Sequence, residues 1–305
     1  MERYKFSQDI KREVTQLCVL NNHSGFLAIG LDFLVIAAAV LLAEANSYFY
    51  PVAFLIIGSR QRALATILHE SAHGTLAKNK LMNRILGTYL SGYLIFQTWD
   101  SYKKSHVQKH HHKLGQATVD PDYKYYLDSG VYDDQTRNRF IWHYLAKPLL
   151  FLNVFSSLHY LVKNRLLSKG CRKELLPMIL SLACLACLGG ILVNEQFFII
   201  YWIIPFFTSF QMFTWFIELA EHYPMVKTAT NDISATRNRF SHAIEHFFTG
   251  MHNEHFHLVH HLFPGVPFWR MKQAHQILLR DDKYARINAE SGGIFLSGAE
   301  LKWAN

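Results

Sequence analysis

Four apolar runs punctuate the chain: Phe26–Ala43, Tyr48–Leu68, Leu175–Val193 and Gln196–Ile217. Each approaches the roughly 20 residues that an α-helix needs to cross a hydrocarbon core of about 30 Å. Short polar turns, Glu44–Ser47 and Asn194–Glu195, join them in pairs, so the pattern predicts two transmembrane helical hairpins. Two further stretches, Leu81–Trp99 and Phe140–Val162, are apolar but interrupted by Asn83, Arg84, His143, Lys147, Pro148 and His159. Lying in the membrane interface or packing on a polar domain suits them better than spanning. The expected fold is all-α and polytopic, with four spans. It divides into an N-terminal segment (1–25), a first hairpin (26–68), a polar and interfacial region (69–174), a second hairpin (175–217) and a final polar region (218–305). The first 25 residues are polar and mixed in charge, unlike a secretory signal, and no repeat or low-complexity tract interrupts the chain.

Charge orients the hairpins. Neither connecting turn contains Lys or Arg, whereas the N-terminus (Arg3, Lys5, Lys11, Arg12) and the segment Lys163–Lys173 are basic. By the positive-inside rule the turns face outward and everything else is cytoplasmic. Inside the first hairpin, Asp32, Arg60 and Arg62 would each sit within the hydrocarbon region, where charges pair or face a cavity; Asp32 is expected to pair with Arg60 or Arg62. The chain is 50% hydrophobic and 18% charged, against about 25% charged in ordinary soluble proteins, which excludes a disordered or collagen-like chain. The formal charge of +8 is carried by dispersed Lys and Arg broken by apolar blocks, a distribution that speaks against nucleic-acid binding. Four cysteines are too few for a disulfide framework. Cys184 and Cys187 fall within an apolar run and are read as packing residues.

Histidine carries the candidate chemistry. Of 18 histidines, 14 fall in residues 69–73, 106–112 and 222–261. His69 and His73 stand at i, i+4 on a helix, close enough to meet one metal or two adjacent metals. His106 and His110 repeat that spacing, with His111 and His112 beside them, and His257, His260 and His261 offer i, i+3 and i+4. No complete span separates the first cluster from the second, and two separate the second from the third, so all three emerge on one face. His222 follows the last span at the same height. Imidazole suits iron, zinc, copper or nickel. A single zinc takes four ligands, so this many histidines fit two ions.

His69-Glu70-Ser71-Ala72-His73, His106-x-x-x-His110-His111 and His257-x-x-His260-His261-Leu262-Phe263-Pro264 resemble the three histidine boxes of the membrane fatty acid desaturase superfamily. Glu221-His222-Tyr223 is similar to a further Glu-His motif that several members carry after their last span. The resemblance covers roughly residues 26–280. It implies a di-iron centre, O2 as co-substrate and an external electron donor, with His69, His73, His106, His110, His111, His222, His257, His260 and His261 as metal ligands. Two departures leave alternatives open: the pair used in the second box is His110–His111 or His111–His112, and His255 stands where related sequences often have Asn. Glu70, Glu218, Glu221, His112, His252, His255 and Asp122 are candidates for the surrounding shell that orients the ligands. Asp120-Pro121-Asp122 also reads as a turn.

The expected activity is desaturation of an acyl chain, presented as a lipid, a thioester or a lipid-like metabolite. Hydroxylation by the same centre, or desaturation of a small specialised metabolite, is the alternative. An intramembrane zinc protease would use His69, Glu70 and His73 and leave the other clustered histidines without a role, and a metal transporter would string its ligands along a transmembrane path. No His-Pro-Gly-Gly haem motif occurs, so electrons are expected from a separate ferredoxin- or cytochrome-type protein. The short bacterial-type form implies the inner membrane of a bacterium, with the site on the cytoplasmic side.

Overall fold

The computed structural model describes residues 1–168 and 171–295. Helix dominates, and among the described residues the only β pairing is an isolated bridge between Glu2 and Asn231. The first hairpin consists of α1 (Ser24–Ala45) and α2 (Tyr50–His73). Between them Asn46 accepts a hydrogen bond from the Tyr48 N–H and turns the chain. Gly74, at φ 80°, ends α2 in the left-handed conformation that residues with a Cβ rarely adopt. The helix therefore stops immediately after His73.

α2 is the axis of the molecule. From Ile57 to Leu68 it is buried on every face, whereas α1 turns Phe26, Leu27, Leu31, Leu34 and Leu41 outward. After the shorter helices Lys80–Tyr89, Gly92–Ile95 and Trp99–Tyr102 comes α3 (Lys103–His111), wound as a π-helix. Among the later helices are α4 (Arg172–Leu192), α5 (Gln211–His222) and the short α6 (His257–Leu262). α5 continues a longer helical run, Phe198–Thr228.

Among the described residues, three helices are long and apolar enough to cross a membrane: α1, α4 and the run Phe198–Thr228. α2 differs from the span expected at Tyr48–Leu68. It has spanning length, but its middle is Ser59-Arg60-Gln61-Arg62, and protein rather than lipid covers those groups. The segment expected at the interface forms two helices, Arg137–Leu149 and Val154–Leu166, bent by 73°. Leu150, Leu152 and Phe155 at the bend point outward. Cys184 and Cys187 are exposed on α4, which corrects the reading of them as packing residues.

The two hairpin turns meet. Asn194 Nδ2 donates to Glu44 Oε1 at 2.9 Å, and the Tyr201 hydroxyl donates to the same oxygen at 2.6 Å. His69 lies at the opposite end of α2, about 29 Å from Tyr50 at 1.5 Å per residue.

Asp32 is fully buried and stands 3.6 Å from Arg60 Nη1, as expected. A third member was not legible in the sequence: His252 Nε2 lies 2.7 Å from the other carboxylate oxygen. Arg62 turns away from Asp32, towards Glu218 and Glu254. Removing one partner of a buried pair strands the other charge at a cost of about 3 kcal/mol. Asp32→Asn is thus expected to lower the denaturation midpoint of the purified protein in detergent, and an unchanged midpoint would show that the pair contributes nothing.

Candidate metal centre

Four elements deliver the histidines. On α2, His69 and His73 are one turn apart and their ring centres lie 4.6 Å apart. In α3 the expected i, i+4 pair is present, the His106 and His110 rings stacking at 4.9 Å, and the π winding also brings residues i and i+5 into line. His106 Nε2 accordingly meets His111 Nε2 at 3.2 Å, while His110 presents its Nε2 elsewhere. α5 ends on His222. α6 is α-helical, so His257 and His261 share a face, at 4.5 Å between rings, and His260 projects from the neighbouring one.

Two groups result. His69, His73, His106 and His111 bring one ligand atom each within 4.8 Å of one another. His260 joins them, its Nε2 3.1 Å from that of His111. His110, His222 and His261 form the second group under the same limit. His257 joins that one, its Nε2 3.0 Å from His222 Nε2. His111 and His261 stack at 4.3 Å and connect the two. All the histidines that the resemblance marked as ligands therefore converge.

Carboxylates stand behind the rings. His106 Nδ1 lies 3.0 Å from Asp122, His110 Nδ1 3.1 Å from Asp120, His257 Nδ1 3.3 Å from Glu221 and His69 Nδ1 3.3 Å from Glu70. A carboxylate that holds the proton on Nδ1 leaves the Nε2 lone pair free for a metal and fixes the ring. The Nε2 atoms of His73, His110 and His261 are buried without any hydrogen-bond partner. Unpaired buried polar atoms are costly, and a bound cation is the natural partner for three imidazole nitrogens of this kind.

The surrounding shell differs from expectation at several positions. His112 is exposed and bonds the Val107 carbonyl at 2.7 Å, so it lies outside the cluster. His255 packs against His246, ring centres 4.4 Å apart, and His252 is committed to Asp32. Glu218 makes its ion pair with Arg62. Asp120 both caps the following helix, accepting from the backbone N–H of Asp122 and Tyr123, and holds His110. Sequence reasoning placed it in a turn within an acidic Asp-Pro-Asp motif and did not assign it to a particular histidine. It also missed Arg165, which grips both oxygens of Asp122 at 3.0 Å, and Arg239, buried 2.9 Å from Glu221. Their only sequence signal is that a buried carboxylate needs a cation, and nothing local says which one.

The sequence profile described as fatty acid desaturase matches residues 45–289. The chain belongs to that family. It is 37% identical to the dihydrorhizobitoxine desaturase of Bradyrhizobium elkanii, over 98% of this chain and 87% of the relative. It is 24% identical to the zeaxanthin 4-ketolase of Chlamydomonas reinhardtii, over 77% of this chain and 45% of that protein. Membership makes the protein an oxidoreductase of the desaturase kind, and its histidine groups have the composition and spacing to hold metal.

Electrostatics suit ligation in this desaturase. Burial, then repulsion from neighbouring imidazoles, holds His106, His111, His257, His260 and His261 well below the usual histidine range, in the neutral form that binds metal. His110 is the exception: burial opposes its charge, but the Asp120 carboxylate overcomes that and carries it above the usual range. A depressed histidine binds fewer protons folded than unfolded, so stability falls as pH drops below the unfolded value of about 6.5. Below that pH His110 is protonated in both states and offsets nothing. The metal-free protein is therefore expected to lose more than about 1.4 kcal/mol per pH unit on acidification from pH 6 to pH 5. Equal melting temperatures at pH 7.5 and pH 5.5 would contradict this.

Proposed function

We propose that this chain is a membrane-bound, O2-dependent di-iron desaturase whose centre is built from His69, His73, His106, His111 and His260 on one side and His110, His222, His257 and His261 on the other. The observation that carries the reading is the convergence of these imidazoles in two connected groups with carboxylates behind four of them. Two irons supply the strong oxidant that removal of hydrogen from an unactivated carbon requires and that acid–base side chains cannot provide. The chain's own residues do the rest. They hold the ions, fix Nδ1 protons on Asp122, Asp120, Glu221 and Glu70, and exclude bulk water. Overall, a CH–CH unit loses two hydrogens to become C=C, a donor protein adds two electrons, solvent adds two protons, and O2 leaves as two waters. The donor is a separate ferredoxin- or cytochrome-type protein drawn to the basic cytoplasmic face, and membrane lipids surround the helices.

Of the two substrate classes, an acyl chain and a small metabolite, the second is favoured. The relative that aligns with nearly the whole chain is named for dihydrorhizobitoxine. Hydroxylation or other oxygen insertion draws support only from the likeness to the ketolase. The zinc-protease reading asks Glu70 to serve as a free base, but its carboxylate accepts from Thr75 at 2.8 Å and from the Phe268 N–H at 3.3 Å.

Metal analysis of the purified protein is expected to give roughly two irons per chain. Expression should yield an O2-dependent unsaturated product that His69→Ala abolishes, and protease activity without iron would overturn the reading. The protein is proposed to lie in a bacterial inner membrane with the centre inside. Cysteines placed at Asn46 and Asn194 should then react with an impermeant reagent from outside, and cysteines at Lys113 and Lys283 should not. Outside labelling of either lysine position would refute the orientation.

A further inference from the structure

Resting on the reading of the histidine centre as the oxidising site, we propose that the compound it oxidises is a short, amine-bearing molecule whose ammonium group is held by Glu218, and not a long alkyl chain. Two adjoining cavities lead to this. One reaches His69, His106, His257 and His260. The other, the larger, lies between α2, the helix Val154–Leu161 and α5. They share Arg62, Tyr102 and Glu218 in their walls, so Glu218 stands between the open cavity and the histidines.

The larger cavity is not an alkyl tunnel. Tyr102, Tyr125, Tyr126, Tyr160 and Trp215 line it together with buried charges. A methylene chain laid against this wall would leave Gln97 Oε1 and Thr214 Oγ1 unpaired, at about 1–3 kcal/mol for each. Most of the charges are already matched. Arg165 is held by both oxygens of Asp122 at 3.0 Å, and Arg62 makes its closest contact with Glu254. Glu218 is reached by Arg62 only at 3.4 Å, and Arg62 is already engaged. One carboxylate is thus in excess, in an aromatic setting that favours an ammonium ion.

The two unpaired oxygens point the same way. Gln97 Oε1 and Thr214 Oγ1 are buried without a hydrogen-bond partner, and both residues line this cavity. An amide oxygen can only accept, and a hydroxyl oxygen accepts readily. With Glu218 they make an acceptor-rich wall that calls for N–H or O–H donors on the ligand.

The test uses the iron-loaded, full-length protein in detergent at pH 7.5, with binding of hexylamine, hexan-1-ol, hexanoate and stearoyl-coenzyme A measured by calorimetry. Hexylamine should bind at least tenfold more tightly than the alcohol or the acid. Glu218→Gln should erase that preference while iron content stays at the wild-type level. Thr214→Val should weaken hexylamine binding several-fold and leave hexanoate binding unmoved. Tighter binding of stearoyl-coenzyme A than of hexylamine, or an amine preference that survives Glu218→Gln, would overturn the assignment. If Glu218→Gln does not fold, the wild-type ligand series and Thr214→Val decide the matter. Absence of iron from the wild-type protein would refute the di-iron reading instead, and the two failures are thereby distinguishable.

Discussion

His222→Ala is expected to abolish oxidation and to lower iron content to roughly one ion per chain, while the protein still inserts and purifies. His222 belongs to the smaller histidine group, with His110, His257 and His261, and its Nε2 lies 3.0 Å from that of His257. Deleting it leaves three imidazoles for an ion that would otherwise have four, whereas the other group keeps its full set. The comparison is His23→Ala: His23 is exposed at the start of α1, far from the cluster in sequence and contact, and its loss should change neither iron nor turnover. His275 is a poorer control than its isolation in the sequence suggests. It is buried and bonds the Tyr284 hydroxyl at 2.8 Å, so its removal threatens the fold. A His222→Ala protein with two irons and near-normal turnover would remove this residue from the centre.

Asp122→Asn should be almost as damaging, although Asp122 is proposed to touch no metal. Its carboxylate faces His106 Nδ1, both oxygens are held by Arg165, and the Tyr160 hydroxyl donates to it. The amide cannot hold the imidazole proton as a carboxylate does. Loss of such an outer partner typically costs 10- to 100-fold in metal affinity. The substitution also strands the buried Arg165 guanidinium, for which about 3–5 kcal/mol is usual. The readouts separate the two effects: iron retention against a chelator reports on His106, and the melting temperature of the metal-free protein reports on Arg165. Unchanged values in both would show that the network is idle.

Much of this was legible in the sequence because hydrophobic runs and histidine spacings are local signals. The turns at Asn46 and Asn194 and the face shared by His69 and His73 follow from length and periodicity alone. What escaped was non-local or depended on winding. Asp32 was expected to find an arginine in the same hairpin, and it did, but His252 arrives from a loop 220 positions away in the chain. α2 read as a plain span because a hydropathy window averages Arg60 and Arg62 with their apolar neighbours. Only packing shows that protein surrounds them. The partition of His110 and His111 between the two groups could not be read from an α-helical wheel, since α3 is not α-helical.

That winding has a consequence for how the chain tolerates changes in length. An α-helix advances about 100° per residue, so one residue more or fewer rotates everything beyond it by nearly a third of a turn. In α3 the wider π turn is what aims His106 and His111 at one set of partners and His110 at the other. Deleting a residue such as Gln108, which reaches neither group, would relax the segment towards α geometry. The imidazoles that follow would then swing out of register with α2 and α6. Most helices near a surface absorb a substitution more readily than a deletion, and here the contrast is sharp: the exposed Gln108 side chain can be exchanged, but its place in the count between the histidines cannot be lost.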